Sequence, residues 1–263
     1  MRNKSLVSIL RELDPDQVSG PACAIRIYLN QAESELPVHH HRKGQLILAL
    51  QGGLTCKVPG SLWMVPPLSA VWIPGGMPHS SRVTSNAQIC FLFVEPRTAK
   101  MPTECCTLSI SSLVREMIQH VADLMRAHDT RDHTSRMVRV LLDELTRMPV
   151  ENLHLPISSN RRLQRIADTL TATPADRRTV EEWGKYVAMS GRSLTRLIMK
   201  ETGMTFGQWR QQLHLIVALH RLSEGASVQQ VSSDIGYESV TAFITMFKKA
   251  LGITPARYFA KRI

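Results

Sequence analysis

The feature that most constrains the fold is a segment that occurs twice near the end of the chain. Residues Ser190–Trp209 align with residues Ser239–Tyr258 at a constant offset of 49 positions. The matching pairs are Ser190/Ser239, Leu194/Phe243, Ile198/Phe247, Lys200/Lys249, Gly203/Gly252, Thr205/Thr254 and Trp209/Tyr258. Upstream, "VEEWGKYV" from Val180 is echoed by "VQQVSSDI" from Val228 at an offset of 48. This self-similarity predicts one supersecondary unit that is present twice.

Both copies have the pattern of a short helix, a tight turn and a second helix that begins after a serine. Ser190 and Ser239 are suitable N-caps, because their hydroxyls can accept hydrogen bonds from the free N–H groups of the first turn. Gly203 and Gly252 are expected to end the second helices. An apolar face at helical spacing is expected to pack on the preceding helix, and it comprises Leu194, Leu197, Ile198, Phe243, Met246 and Phe247.

Two helices that cross at a tight turn form a helix-turn-helix, here at about residues 180–201 and 228–250. The second helix of this motif fits the major groove of double-stranded DNA. An arginine near its start can make paired contacts with guanine, which discriminate by about 1–3 kcal/mol. The predicted DNA-contacting residues are Ser190, Arg192, Ser193, Thr195, Arg196, Ser239, Thr241, Thr245 and Lys248.

The segment between the two units, Phe206 to Gly225, has continuous helical periodicity. We expect it to be a stiff connector that holds the two second helices at a fixed separation. One turn of DNA, about 34 Å, is the natural distance between two such readers.

The excess of positive charge lies mainly in the repeated region. Residues 160–263 contain 16 basic and 8 acidic side chains, whereas residues 1–159 contain 16 and 14. A basic globular half favours nucleic acid as the partner, and less often a membrane surface. Apolar runs such as "ICFLFV" are far shorter than the roughly 20 residues that span a bilayer, so no membrane partner is expected.

The cysteine pattern excludes a disulfide framework and a zinc ribbon. The chain has five cysteines, an odd number, and none is arranged as C-x-x-C. The adjacent pair Cys105 and Cys106 is read as two ordinary thiols, because adjacent residues form a disulfide only with strain. We therefore expect a cytoplasmic protein.

The N-terminal part has a different pattern of apolar residues from the repeated region. Residues 21–98 contain short apolar runs between Gly, Pro, Ser and Asn turns, which indicates an antiparallel β-sandwich or barrel. Residues 113–128 and 134–148 have apolar residues three and four apart, which predicts two amphipathic helices. Residues 149–160, with two prolines, are interpreted as a linker.

The repeated region resembles the DNA-binding domain of the AraC/XylS family of bacterial transcription regulators. The family signature runs through Ile235 to Tyr258, with Gly236, Tyr237, Ser239, Phe243, Phe247, Lys248, Gly252, Pro255 and Tyr258 at expected positions. The resemblance implies base contacts by Arg192, Thr195 and Arg196. Thr245 stands where the family usually has arginine, so the second unit is expected mainly to grip phosphates. Gly184 replaces the usual alanine, and Ala188 replaces a frequent turn glycine.

Three consecutive histidines precede a second candidate site. Alternation along a strand places His39 and His41 on one face and His40 on the other. His39, His41 and Gln45, followed by Pro74, Gly76 and His79, resemble the two cupin motifs. The resemblance implies a site for one divalent metal ion, such as Zn, Fe, Ni or Cu, although Gln45 replaces the usual carboxylate. No cofactor is certain: the cluster is either a metal-free effector pocket, a metal-assisted pocket or sensor, or a relic.

These features together predict a multidomain protein: an N-terminal all-β cupin-like barrel, central helices and a C-terminal all-α domain with two helix-turn-helix units. The expected domains are 1–105 (cupin-like effector or sensor domain), 106–159 (helical connector or dimerisation region, and linker) and 160–263 (AraC-type DNA-binding domain). Leu48, Leu50, Trp63, Trp72 and Phe91 are candidate pocket lining or core.

The expected function is sequence-specific transcriptional regulation, as activator or repressor, controlled by a small molecule or metal. Regulators of this type often control a neighbouring transport gene. A homodimer and a contact with RNA polymerase remain open. The competing hypotheses are a cupin metalloenzyme and a non-specific DNA-binding protein. A non-enzymatic role is favoured, because Gln45 leaves the histidine cluster without an obvious general base.

Overall fold

The computed structural model describes residues 14–29, 34–51, 53–65, 69–83, 87–127, 132–151, 154–156, 158, 160–223 and 225–260. The chain forms two compact units. The first comprises residues 1–59 and 63–153, and the second comprises residues 60–62 and 154–263. The predicted linker at residues 149–160 is not wholly irregular, because two short strands lie within it.

The strands of the chain are β1 (Ala22–Tyr28), β2 (Ser34–His39), β3 (Gly44–Gln51), β4 (Leu54–Val58), β5 (Ser61–Met64), β6 (Ser69–Ile73), β7 (His79–Val83), β8 (Gln88–Val94), β9 (Cys106–Ser109), β10 (Val150–Glu151) and β11 (His154–Pro156). A six-stranded antiparallel sheet has the order β1-β8-β3-β6-β9-β10. A second antiparallel sheet contains the strands β4, β7 and β2 in that order, with β7 paired to both of the others.

The central strand β3 is buried on both faces, and its alternate residues enter two different cores. Ile47 and Ala49 lie in the core between the two sheets, together with Phe91 and Phe93 of β8. Leu46 and Leu48 point the other way into a core that the sheet shares with two helices. This two-sided burial explains the uninterrupted apolar runs, because both side-chain directions of the strand must be apolar.

The expected cupin-like barrel is not confirmed, since the strands do not close into a barrel. The described strands form two separate sheets, and β1 is the edge strand of the larger one. The outer face of that sheet is covered by helices and thus needs no barrel closure to be buried. The candidate lining residues Leu48, Trp63, Trp72 and Phe91 are core, and Leu50 is partly buried against it.

The two predicted amphipathic helices are α1 (Ser112–Arg126) and α2 (Asp132–Leu145). Ser111 caps α1 by accepting a hydrogen bond from the Val114 amide. Buried residues of both helices, including Ile118, Val121 and Leu141, pack in one core with the larger sheet. The helices are thus the outer layer of the N-terminal unit.

The second unit contains the helices α3 (Arg161–Ala172), α4 (Val180–Tyr186), α5 (Gly191–Thr202), α6 (Phe206–Ser223), α7 (Val228–Asp234), α8 (Val240–Leu251) and α9 (Pro255–Ala260). The sequence repeat appears directly in these bounds. The helices α4 and α7 have seven residues each, and α5 and α8 have twelve each. Each of the two helix-turn-helix repeats is thus a short helix followed by a longer one, as the sequence repeat predicts.

Within the described residues, no helix combines the length and the apolar character needed to cross a membrane. All five cysteines are free thiols, and Cys105 and Cys106 form no bridge.

Gly44 provides a test of how tightly the two cores are packed. A Cβ atom at this position would lie 2.1 Å from Cη2 of the buried Trp72 ring. We expect Gly44→Ala to lower the free energy of unfolding by about 1–3 kcal/mol, because overpacking forces the ring out of its place. Urea denaturation monitored by circular dichroism measures the change.

The double variant Gly44→Ala/Trp72→Phe is the control, because a phenyl ring lacks the distal atoms that clash. Its loss of stability should be smaller than the sum of the two single losses. Strict additivity of the two substitutions would contradict this packing.

Candidate nucleic-acid interface and histidine cluster

The helix α5 begins at the predicted N-cap. The Ser190 hydroxyl accepts a hydrogen bond from the Ser193 amide at 3.1 Å and lies 2.9 Å from the Ser193 hydroxyl. Gly203 ends the helix in the left-handed conformation with φ of 69°. The Ser190 and Ser193 hydroxyls therefore take part in the cap at the start of α5.

The rotation of α5 about its axis is set by two buried side chains. Leu194 and Ile198 are 0% and 2% exposed. Arg192, Thr195 and Arg196 lie on the opposite face and are exposed. Neither arginine has an ion-pair partner among the residues that the structure describes, so both guanidinium groups are available to an anionic partner.

Two of the exposed threonines of the second helices, Thr195 and Thr245, have a defined hydrogen-bonding direction. Thr195 donates its hydroxyl proton to the Gly191 carbonyl at 3.0 Å, and Thr245 donates to the Thr241 carbonyl at 2.9 Å. With the proton used within the helix, the outward oxygen acts as an acceptor beside a methyl group. Such a side chain suits a base amino group or the thymine methyl.

The helix α8 is built in the same way but carries different chemistry. Ser239 accepts from the Ala242 amide at 3.1 Å, and Phe243 and Phe247 are fully buried. Thr241, Thr245 and Lys248 are exposed. Its basic side chains, Lys248 and Lys249, lie in the last turn. This face offers point charges for phosphate rather than a guanidinium fork for a base.

The first part of the turn between the two helices has the same backbone in both helix-turn-helix units. The Met189 amide donates to the Gly184 carbonyl, and the Tyr237 amide donates to the Ser232 carbonyl. These bonds close a Schellman-type end, whose next-to-last residue is left-handed. Gly236 has a φ of 80° there, and Ala188 has a φ of 55° in the first unit.

Gly184, the departure from alanine, lies where α4 meets the start of α5. A Cβ atom on this residue would be 2.9 Å from the Gly191 amide nitrogen and from the Met189 carbonyl oxygen. The glycine therefore permits a closer approach of the two helices than a side chain would allow.

The connector α6 is 18 residues long, which corresponds to about 27 Å at 1.5 Å per residue. It contacts both α5 and α7, which are one helix from each helix-turn-helix. Leu213, Leu215, Ile216 and Leu219 are buried on different sides of the helix. An apolar helix of this kind belongs to the core of the C-terminal unit, as expected for a connector between the two helix-turn-helix units.

The histidine cluster lies in the N-terminal unit, and the structure brings the predicted residues together. One ring nitrogen from each of His39, His41 and His79 lies within 4.8 Å of the others. The Gln45 Oε1 atom is 2.9 Å from Nε2 of both His41 and His79. His40 is exposed, as the strand alternation predicts.

Backbone carbonyls fix the tautomer of each ring. Nδ1 of His39, His41 and His79 lies 2.9, 2.5 and 2.9 Å from the carbonyls of Pro37, Lys43 and Met77. A carbonyl only accepts, so each Nδ1 carries the proton and each Nε2 keeps its lone pair. Burial also lowers the pKa of His79 to about 4, which leaves this ring neutral at pH 7.

This donor set fits a divalent metal ion. Two Nε2 lone pairs and the Gln45 oxygen converge without a proton between them, and such acceptors are satisfied by a cation or by a donor. The amide NH2 of Gln45, turned toward the rings, would supply that donor when no ion is bound. The cluster is thus chemically complete in a metal-bound and in a metal-free form.

A helix-turn-helix domain model matches residues 183–261 of the chain. The transcriptional regulator NimR of Escherichia coli is 50% identical over 252 residues, which cover 96% of this chain and 92% of that protein. The chain belongs to the AraC/XylS family of helix-turn-helix transcriptional regulators. DNA binding through the helix-turn-helix domain follows from this membership.

Two further similarities are more distant. The regulator RipA of Corynebacterium glutamicum is 28% identical over 108 residues, which cover 41% of this chain and 33% of that protein. The crystal structure of ToxT from Vibrio cholerae aligns with 91% of this chain and 97% of that chain. Its TM-score is 0.41 and its sequence identity is 9%.

Sequence reasoning about this AraC/XylS member missed the residues that hold the histidine cluster in place. Asp16 accepts hydrogen bonds from the amides of Arg42 and Lys43 at 2.7 and 3.0 Å. The Lys43 side chain is fully buried, and its ammonium donates to the Val18 carbonyl at 2.5 Å. Asp16 and Lys43 are far apart in sequence and belong to no motif, so no local signal could have identified them.

The left-handed turn of the first helix-turn-helix predicts a stabilising substitution. We expect Ala188→Gly to raise the free energy of unfolding by about 0.5–1 kcal/mol, because glycine removes most of the cost of a left-handed residue, about 1–2 kcal/mol. The repeat supplies the matched control, Gly236→Ala, which should destabilise the protein. Its Cβ would also lie 3.0 Å from Cα of Ala175. Thermal denaturation of both variants measures the effect, and a less stable Ala188→Gly protein would contradict it.

Proposed function

We propose that this regulator reads two adjacent major-groove segments with α5 and α8, and that it recognises a specific sequence mainly through α5. The observation that carries the proposal is the exposed face of α5, where Arg192 and Arg196 flank Thr195. Two guanidinium forks and an oriented hydroxyl can distinguish base edges. The stiff helix α6, which contacts both units, supports a fixed spacing between the two readers.

The second helix-turn-helix has a supporting role in this proposal. The helix α8 carries exposed threonines and lysines but no arginine, and lysine acts on phosphate as a point charge. Phosphate contacts position a protein on the duplex, whereas base contacts provide specificity. Because both readers belong to one chain, a monomer suffices for binding. A homodimer would add avidity rather than create the site.

The division of roles between the two helices leads to a test with single substitutions. A preferred duplex is first selected from random DNA with the full-length protein. We expect Arg196→Ala to weaken binding to this duplex by about 1–3 kcal/mol more than binding to a scrambled duplex. Lys248→Ala should weaken binding to both duplexes equally. It should also reduce the slope of log affinity against log salt concentration by about one.

Arg139→Ala, an exposed arginine on α2, is the matched control and should leave both affinities unchanged. Fluorescence anisotropy at several salt concentrations measures all three variants. An Arg196→Ala protein that loses affinity equally for all duplexes would favour the competing hypothesis of non-specific binding.

The histidine cluster is proposed as a site for a divalent metal ion, or for an effector, that controls DNA binding. The ligands would be His39, His41, His79 and Gln45. A bound ion would supply a positive charge that draws the three rings and the amide together. The neutral Gln45 leaves the site without a carboxylate, which weakens affinity and offers no base for catalysis. This chemistry supports reversible sensing rather than turnover.

The missing negative charge is the basis of a second prediction. We expect Gln45→Glu to bind Zn²⁺ at least about tenfold more tightly than the unaltered protein, because ligand charge tunes metal affinity. His39→Ala should bind more weakly, and His40→Ala, which alters an exposed ring outside the cluster, should bind unchanged. Isothermal titration calorimetry on metal-free protein measures the affinities. Equal affinities for the Gln45→Glu and His39→Ala variants would contradict a metal site.

The wider regulatory role rests on family membership. Control of a neighbouring transport gene and contact with RNA polymerase are proposed on that basis, as is location in the cytoplasm. The direction of regulation, activation or repression, depends on where the preferred DNA site lies relative to a promoter. Sequencing of genomic fragments captured by the protein locates these sites.

A further inference from the structure

A cavity of about 780 Å³ lies in the N-terminal unit. One wall is the segment from Val18 to Arg26, and the other is formed by the end of α1 and the start of α2. Its volume is within the range of about 300–1,000 Å³ for sites that bind small organic ligands. The described residues that line it include none of the histidine cluster, so this is a separate site.

The strand wall of the cavity has an open hydrogen-bonding edge. The strand β1 is at the end of its sheet, and it pairs with β8 on its other side. The Ala24 amide points away from β8 and donates to the Sδ atom of Met125 at 3.0 Å. A thioether sulfur is a weak acceptor. A ligand oxygen could therefore replace it with a gain in hydrogen bonding.

Two buried polar atoms of the lining residues lack a partner among the described residues. The Thr134 side chain lies on α2 and is 6% exposed, and its Oγ1 atom makes no hydrogen bond. The Nε atom of Arg26 is also buried and without a partner. A buried polar group left unpaired is unfavourable. Both atoms can donate, so they match a ligand that carries an acceptor.

The charge around the cavity favours an anion. Asp123 lies between two guanidinium groups, 3.2 Å from Arg26 Nη2 and 3.2 Å from Arg126 Nη2. The two arginines and one aspartate leave one positive charge in excess. The remaining lining is largely apolar, with Val18, Pro21, Ile25, Ala122, Met125 and Val138.

We propose that this cavity binds a small organic anion, namely an apolar molecule with one carboxylate or similar oxyanion. The oxyanion accepts hydrogen bonds from Arg26 Nε and the Thr134 hydroxyl after these buried donors turn toward the cavity, and the apolar body lies against β1 and α2. The ligand is a second effector of the regulator, distinct from whatever binds the histidine cluster, and this role rests on the function proposed above. The binding step itself does not depend on DNA recognition and is measured without DNA.

The test uses isothermal titration calorimetry on the full-length protein. The probes are phenylacetate, 2-naphthoate and cyclohexanecarboxylate, each compared with its primary amide, which keeps the shape and removes the charge. We expect at least one acid to bind, and its amide to bind at least about tenfold more weakly.

Variants of α2 locate the bound acid. Ser135 is an exposed residue at the cavity rim, so Ser135→Trp should block binding without disturbing the core. Arg139→Trp, on the same helix outside the lining, is the matched control and should bind as the unaltered protein does. Thr134→Val keeps the side-chain shape, removes the hydroxyl and should weaken binding about tenfold.

Three results would overturn the proposal: no heat with any of the acids up to about 1 mM, equal affinities for acid and amide, or unchanged binding in Ser135→Trp. The DNA affinity of each variant without acid is measured in parallel. A protein that binds acid but no specific DNA would refute the proposed function and leave the anion site intact.

Discussion

The burial of Leu194 and Ile198 fixes the rotation of α5, and the functional surface of the protein depends on that rotation. With these two side chains fixed in the core of the C-terminal unit, helical geometry leaves Arg192 and Arg196 on the outside. The buried Phe243 and Phe247 have the same effect on α8. Apolar burial therefore decides which residues α5 and α8 present to solvent and, in the proposed function, to DNA.

In the N-terminal unit, the larger sheet is apolar on both faces and has to be covered on both sides. Alternate residues of β3 supply two cores, one against the second sheet and one against α1 and α2. The helices consequently complete the fold of the sheet. This layering also leaves β1 at an edge beside α1 and α2, where the cavity forms.

The repeated region was predictable because its signals are local. Capping serines, closing glycines and a helical apolar stripe each constrain neighbouring residues, so the bounds of α5 and α8 follow from sequence. The sandwich was harder to predict, because the polar strands β2 and β7 lack continuous apolar runs and depend on pairing with each other. Strand spacing predicted a sandwich or a barrel, and the resemblance to the cupin motifs favoured the barrel, but neither signal determines whether sheet edges meet.

The candidate sites were predictable to different degrees. The histidines could be grouped because strand alternation and motif spacing act over short distances. Their support by Asp16 and Lys43 depends on a loop that returns from elsewhere in the chain. The cavity had no signal in the sequence, since Arg26 and Thr134 line it together only because of tertiary packing.

The one-residue difference between the two repeat offsets has a consequence for how the protein would lie on a promoter. The turn before α8 is one residue longer than the turn before α5, and only α5 presents arginines. A two-fold rotation of the DNA duplex would therefore not exchange the positions of α5 and α8. In the proposed mode of binding, a monomer with such unequal readers would bind its operator in a single orientation and so give the bound complex a direction along the DNA.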